Sequence, residues 1–178
     1  MIKRFSLLFL VALLASVSLT GCVTITGQPE GPQETRYDDA GIKTGIASAL
    51  LKKDAAKAND INVHCFNGHV FLIGEADKDF RGIALNTARQ AEGVVHVTTH
   101  WFPTGTAATL DDSAIETEVD AQLLFTENLS VRRVAVDVWG GHVVLTGIAS
   151  SQAEIDNAIN KIKKIKQVRS VTSYLTLE

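Results

Sequence analysis

Asn67-Gly68-His69-Val70-Phe71-Leu72-Ile73-Gly74-Glu75-Ala76 returns later in the chain as Gly140-Gly141-His142-Val143-Val144-Leu145-Thr146-Gly147-Ile148-Ala149. Each stretch reads as a two-residue turn, an apolar strand and a closing glycine. The repetition makes half a chain, rather than the whole, the unit of folding. Outward from this pair the offset holds at 73: Asp38-Asp39 matches Asp111-Asp112, Ile42 matches Ile115, and Leu50-Leu51 matches Leu123-Leu124. Further along, Val94 matches Val168 and Val97 matches Val171, an offset of 74, so one residue is expected as an addition within the second copy's later helix or its exit.

Asn-Gly and Gly-Gly tolerate the positive φ angles of a type I′ turn, which predicts a hairpin in each copy: Ile61 to Phe66 with His69 to Ile73, and Val134 to Trp139 with His142 to Thr146. That turn sets Cys65 opposite Val70 and Val63 opposite Leu72, with Val138 opposite Val143 and Val136 opposite Leu145 in the second copy. Those pairs form the predicted core face. A helix precedes each hairpin, with Asp39 or Asp112 as the expected N-cap, Ser113 and Glu116 at capping-box spacing, and Ile42, Ile46, Ala49 and Leu50 matching Ile115, Val119, Gln122 and Leu123.

A second helix follows each hairpin, from about Asp79 to Ala91 and from about Gln152 to Ile165, the latter announced by Ser151 and Glu154. The apolar stripes are Phe80, Ile83, Ala84, Thr87, Ala88 and Ala91, and Ile155, Ala158, Ile159 and Ile162. The last strands run from Val94 to Trp101 and from Val168 to Leu177. The expected fold class is α+β, with two tandem αββαβ modules, each a three-stranded mixed sheet packed with two helices. A module of roughly 65 residues is marginal alone, so the two are expected to pack together. Phe66, Phe71 and Ile73, with Trp139 and Val144, lie on the hairpin faces that the helices leave uncovered. They are candidates for an inter-module interface or a partner site.

The first residues belong to neither copy. Lys3 and Arg4 precede an apolar run from Leu7 to Leu14 that is too short to span a bilayer, the pattern of an export signal over 1–21. The run ends at Leu19-Thr20-Gly21-Cys22, which resembles a bacterial lipobox. That resemblance implies an acylated Cys22 as first residue, and Val23 after it resembles an outer-membrane sorting signal. Several acyl chains on one cysteine hold a protein on a membrane essentially permanently, at about 0.8 kcal/mol per buried methylene. Residues 22–37 contain Gly27, Pro29, Gly31 and Pro32 and no apolar period. They read as a tether spanning roughly 20 Å as a random coil.

The chain has 17 basic and 20 acidic side chains; residues 1–21 hold only Lys3 and Arg4, so the remainder carries 15 and 20, a net −5. A mildly acidic body argues against nucleic acid as partner. With Cys22 assigned to lipid, Cys65 stands alone, opposite Val138 in the repeat, and reads as a buried small hydrophobe.

The hairpin glycines, the glycine closing the second strand and the late Gly93-Val94-Val95-His96-Val97 together resemble the BON domain. Two copies behind a lipobox resemble the dual-BON outer-membrane lipoproteins, which are associated with division and outer-membrane stress and bind lipid. On this resemblance, 38–102 and 111–178 are BON domains joined by a linker over 103–110. The second copy departs by having Lys166-Gln167 before Val168. The resemblance implies a non-enzymatic, outer-membrane-anchored periplasmic lipoprotein that binds anionic phospholipid and supports envelope integrity, with the first helix of the second module as the family's contact. Here that helix carries Glu116, Glu118 and Asp120, which repel anionic headgroups, and Ala114 where an aromatic anchor would stand.

Basic residues gather elsewhere: Lys161, Lys163, Lys164, Lys166 and Arg169 around the end of the last helix, and Lys43, Lys52, Lys53 and Lys57 on the first. The first group is the candidate phospholipid contact; the alternative is that its lysines only solvate a helix end and oppose its dipole. His64, His69 and His142 have no metal-ligand spacing, and no nucleophile set or phosphate loop is present in a plausible context, so no metal, cofactor or catalytic residue is expected. A second functional reading is an envelope adaptor whose exposed sheet faces bind protein, touching membrane only through Cys22. Mass spectrometry of the mature protein is expected to find Cys22 acylated and first in the chain; an unmodified Cys22, or a chain retaining residues 1–21, removes the anchor.

Overall fold

The computed structural model describes residues 38–105, 110–124 and 133–177, the side chains of 110 and 111 excepted. Cys22, the export signal and the tether lie outside the described residues. Thr35–Glu178 cluster as one compact unit that holds both modules. The elements are α1 (Asp39–Lys53), α2 (Ala55–Ala58), β1 (Ile61–Phe66), β2 (His69–Gly74), α3 (Lys78–Arg89), β3 (His96–Trp101), α4 (Leu110–Leu124), β4 (Val134–Trp139), β5 (His142–Ala149), α5 (Gln152–Ile162) and β6 (Ser170–Leu177).

Each module has a three-stranded mixed sheet, ordered β1-β2-β3 and β4-β5-β6. The hairpin pair is antiparallel in both, and the strand after the crossover helix pairs parallel with the hairpin's second strand. The register is the expected one: Val63 opposite Leu72, Cys65 opposite Val70, Val136 opposite Leu145 and Val138 opposite Val143. It follows from the turns, where Asn67 and Gly68 have φ of 51° and 74° and Gly140 and Gly141 have 56° and 79°.

One sheet face in each module packs on its helices. Ile42, Ile46 and Leu50 of α1 and Phe80, Ala84 and Ala88 of α3 close over Val63, Cys65, Val70 and Leu72. Ile115, Val119 and Leu123 of α4 and Ile155, Ala158 and Ile162 of α5 close over Val138, Val143 and Leu145. These two clusters, and a third between the sheets, are built from described residues, so a fragment over 38–178 contains all three.

Several local expectations need correction. The N-cap of α1 is Asp38, whose carboxylate accepts the Gly41 N–H at 3.0 Å; Asp39 is already helical. Asp112 and Ser113 lie inside α4, so Ser113 and Glu116 form no capping box. Ser151 does cap α5, accepting the Glu154 N–H, while the Glu154 carboxylate reaches back to the N–H of Ser150. Ile83 is 40% exposed rather than core, because α3 turns Phe80, Ala84 and Ala88 inward. The crossover helices and the last strands begin or end within about two or three residues of their expected limits, and α2, capped by Asp54, had not been anticipated.

The added residue also sits elsewhere. From Gly74 to the N-cap Asp77 is three residues, and from Gly147 to the N-cap Ser151 is four. The insertion therefore lies at the helix entry, where β5 runs on through Ile148 and Ala149 in parallel pairing with Thr176 and Leu177.

Gly74 and Gly147 end the hairpin pairing with β1 and β4, at φ of 151° and 133°, and a Cβ there would collide with the carbonyl oxygen of Asp60 or of Arg133. Neither the conformation nor the close approach suits a side chain. Gly74→Ala and Gly147→Ala are each expected to cost about 2 kcal/mol or more in urea unfolding; a loss below about 0.5 kcal/mol would show that the adjoining segment moves aside freely.

Candidate functional site

The sheet faces turned away from the helices meet each other. Phe71, Ile73, Phe102, Trp139 and Val144 form a third apolar cluster, with Phe66 and Tyr174 packed against it. All four candidate interface residues, Phe66, Phe71, Trp139 and Val144, thus lie in the seam between the modules. Phe102 stacks on Trp139 with ring centroids 5.5 Å apart and planes 12° apart. It is aimed there by its N–H donating to the Gly74 carbonyl and by Arg81 Nη2 donating to its own carbonyl.

Polar groups cross the same seam. The Asp137 side chain is 1% exposed and accepts from Asn62 Nδ2 at 2.7 Å and His64 Nε2 at 3.0 Å. A carboxylate only accepts, so Nε2 of His64 carries the proton. Burying a charge costs several kcal/mol unless it is paired, which is why Asp137 needs both donors. His100 Nδ1 is hydrogen-bonded to the Tyr174 hydroxyl at 3.0 Å.

His64 and Asp137 stand 73 residues apart, and His100 and Tyr174 stand 74 apart. Each pair consists of the same position in the two copies. Positions that touch their own counterpart lie about a two-fold axis, so the modules pack as a pseudo-symmetric pair through an isologous surface. Trp139 Nε1 and Thr146 Oγ1 are buried here without a partner among the described residues.

Outside the seam, Asp39 and Asp112 clasp the hairpin turns. Asp39 accepts the N–H groups of Asn67 and Gly68 at 2.8 Å and the Cys65 thiol at 3.2 Å. Asp112, only 3% exposed, accepts the N–H groups of Gly140 and Gly141 at 2.7 Å. Burial, reinforced by the Asp39 carboxylate, pushes the Cys65 thiol up to about 12. It is therefore a neutral donor rather than a nucleophile.

The basic candidates do not form one surface of equal exposure. Lys161 is half-buried and partnered, Lys163 and Lys164 are exposed just beyond α5, and Lys166 and Arg169 line an open cleft of about 380 Å³ with Asp112, Ile115, Gly140, Gly141 and Gln167. Two carboxyls on the acidic face of α4 are shifted chiefly by burial. Burial raises the carboxyl of Glu116, helped by Asp120 and Asp137, and burial raises that of Asp120.

Among the histidines, His69 stacks on Phe71 at 4.1 Å, meets His96 edge to face and is hydrogen-bonded to Thr98, while His142 bonds Ser170. Among the described residues no group of three or more His, Cys, Asp or Glu is placed to hold a metal ion, and no helix is long and apolar enough to cross a membrane.

Sequence reasoning missed Asn62, His64, Asp137, His100, Phe102 and Tyr174 as seam residues. Strand alternation places Asn62 and His64 on the face of Phe66, and Asp137 on the face of Trp139. It carries no signal that these faces meet.

A family model described as the BON domain matches residues 38–100 and again 111–178. Osmotically-inducible protein Y of Escherichia coli (strain K12) is 29% identical over 127 residues, covering 68% of this chain and 63% of that protein, less than two thirds of its length. A protein described as uncharacterized, from the gshII 5′ region of Anaplasma centrale, is 31% identical over 146 residues, 79% of this chain and 95% of that one. The C-terminal domain of CdsD, a structural protein of the type III secretion system of Chlamydia trachomatis, aligns at a TM-score of 0.34 with 14% identity, over 79% of this chain and 67% of that one. That likeness is too loose to carry an argument.

Acid is expected to loosen the fold. Burial lowers the pKa of His100, with His142 adding to the effect and Asp137 opposing it, and burial together with His96 lowers that of His69. The unfolded chain then binds more protons than the folded one, so stability falls as pH drops through the ordinary histidine value of 6.5. Glu116 and Asp120, held above their ordinary values, favour the fold as pH falls, but only in the carboxylate range. The urea midpoint should therefore drop between about pH 7.5 and about pH 5.5, and His100→Gln should flatten that slope; an unchanged slope in the variant would clear His100 of the effect.

Proposed function

Because the chain belongs to the BON domain family, in two copies, we propose that it is a non-catalytic envelope lipoprotein. It is anchored by acylated Cys22 to the periplasmic face of the outer membrane, and its modules engage anionic phospholipid in support of envelope integrity. The observation that carries the lipid reading is the basic group on the second module. Lys163, Lys164, Lys166 and Arg169 are exposed beyond α5, and two of them line the cleft beside the Gly140-Gly141 turn. The name of the Escherichia coli relative, osmotically inducible, is compatible with an envelope role.

Anchorage through Cys22 leaves the modules to select and orient rather than attach, a task suited to lysines that contribute about 1 kcal/mol each at an anionic surface. The acidic α4 of this chain moves the contact away from the helix that the family resemblance implies. An envelope adaptor reading is weaker, since Phe66, Phe71, Trp139 and Val144, the residues it would present, are engaged in the seam.

Vesicle flotation of the non-acylated fragment 38–178 tests the lipid reading. Binding to phosphatidylglycerol or cardiolipin vesicles is expected at low salt and should weaken as salt rises. Charge reversal at Lys163, Lys164 and Lys166 should weaken it by roughly tenfold or more. Absence of binding at low salt would turn the assignment toward the adaptor.

A further inference from the structure

The outer surface of the first module carries a groove that its own packing does not explain. It runs between α1 and α3, encloses about 320 Å³, and is lined by Gly45, Ile46, Ala49 and Lys53 on one side and Thr87, Gln90 and Ala91 on the other. Such a volume lies at the small end of ligand pockets, which are largely apolar with a few placed polar groups.

Gly45 forms the thinnest part of its wall. Glycine inside a helix costs stability relative to alanine, and it is kept where a turn or a close neighbour demands it. Neither applies to Gly45, which is within α1 and whose Cβ would meet no atom within 4 Å. Its effect is to leave the groove open.

The duplication supplies an internal comparison. The counterparts of Gly45, Ala49 and Thr87 in the second module are Glu118, Gln122 and Lys161, three longer polar side chains. The same three positions therefore carry small residues in one copy and longer polar ones in the other. Ile83, 40% exposed, lies one turn before Thr87 on the same stripe of α3. Lys53 lines the groove at the end of α1 and is ion-paired to no described residue, whereas nearby Lys57 is held by Asp77 at 2.7 Å.

We propose that this groove takes an acyl chain of an anionic phospholipid, with the headgroup phosphate paired to Lys53. The proposal rests on the lipid reading above and gives it a second, chain-binding site on the module nearest the Cys22 tether. An apolar trough open along its length suits a flexible chain, and a lining ammonium with no ion pair among the described residues selects negative charge.

The test uses fragment 38–178 and three soluble probes: monomeric dihexanoyl phosphatidylglycerol, dihexanoyl phosphatidylcholine, and glycerophosphoglycerol, which has no chains. Amide NMR shifts centred on Gly45, Ala49, Lys53, Thr87 and Ala91 are expected with the first probe, weaker with the second and absent with the third. Gly45→Leu fills the trough while favouring the helix, so it should keep or raise Tm and yet lower affinity at least about tenfold, the loss expected when two buried methylenes return to water. Lys53→Glu should remove the preference for phosphatidylglycerol.

Unchanged affinity in Gly45→Leu, or equal shifts from the chainless probe, would overturn the groove assignment. If vesicles bind but shifts map only to Lys163, Lys164, Lys166 and Arg169, the groove fails and the broader lipid reading stands. If the fragment neither floats nor responds, both fall.

Discussion

A three-stranded sheet has two faces, and each module has helices enough for one. The inner face is settled locally: α1 and α3, or α4 and α5, bury Val70 and Leu72, or Val143 and Leu145, to essentially zero exposure. The other face carries Phe71 and Ile73, or Trp139 and Val144, and leaving these in water would forfeit about 1.5 to 3 kcal/mol for each large side chain. Covering each sheet with the other meets the requirement for both at once. The order of layers, the outward presentation of the helices and the position of every candidate ligand-facing residue follow from that pairing.

Covering like with like has a symmetry consequence. Residues at the axis meet their own counterparts, and two identical buried histidines or carboxylates facing each other would be poor neighbours. In this chain the axis positions have diverged into complementary pairs, His64 with Asp137 and His100 with Tyr174. Away from the axis divergence takes another form. Lys43 corresponds to Glu116 and Gly45 to Glu118, so the first helices of the two modules differ in charge and in surface relief. A duplicated fold thereby presents two different outer surfaces on one frame.

Much of the frame was legible in the chain. The Asn67-Gly68 and Gly140-Gly141 turns specify hairpin register because their positive φ angles admit few alternatives, and register then assigns Val63, Cys65, Val136 and Val138 to one face. The roles of Asp39 and Asp112 were misread because an acidic residue at a helix start serves equally as a cap or as an acceptor for a distant turn. The choice depends on where the turn lies in space. The extra residue of the second copy was placed too late, since an offset measured beyond a helix does not say at which end of it the insertion fell.

Local chemistry in the sequence was sufficient for the repeat, the αββαβ order, the mixed sheet and the inward face of each module, because turn dihedrals and apolar periodicity act over a few neighbouring residues. The pairing of Asp137 with His64 and Asn62, the stacking of Phe102 on Trp139, and the trough beside Gly45 join residues from separate elements. Contacts of that kind come into being when two finished surfaces dock, and no periodicity along one strand or helix encodes which surface it will meet.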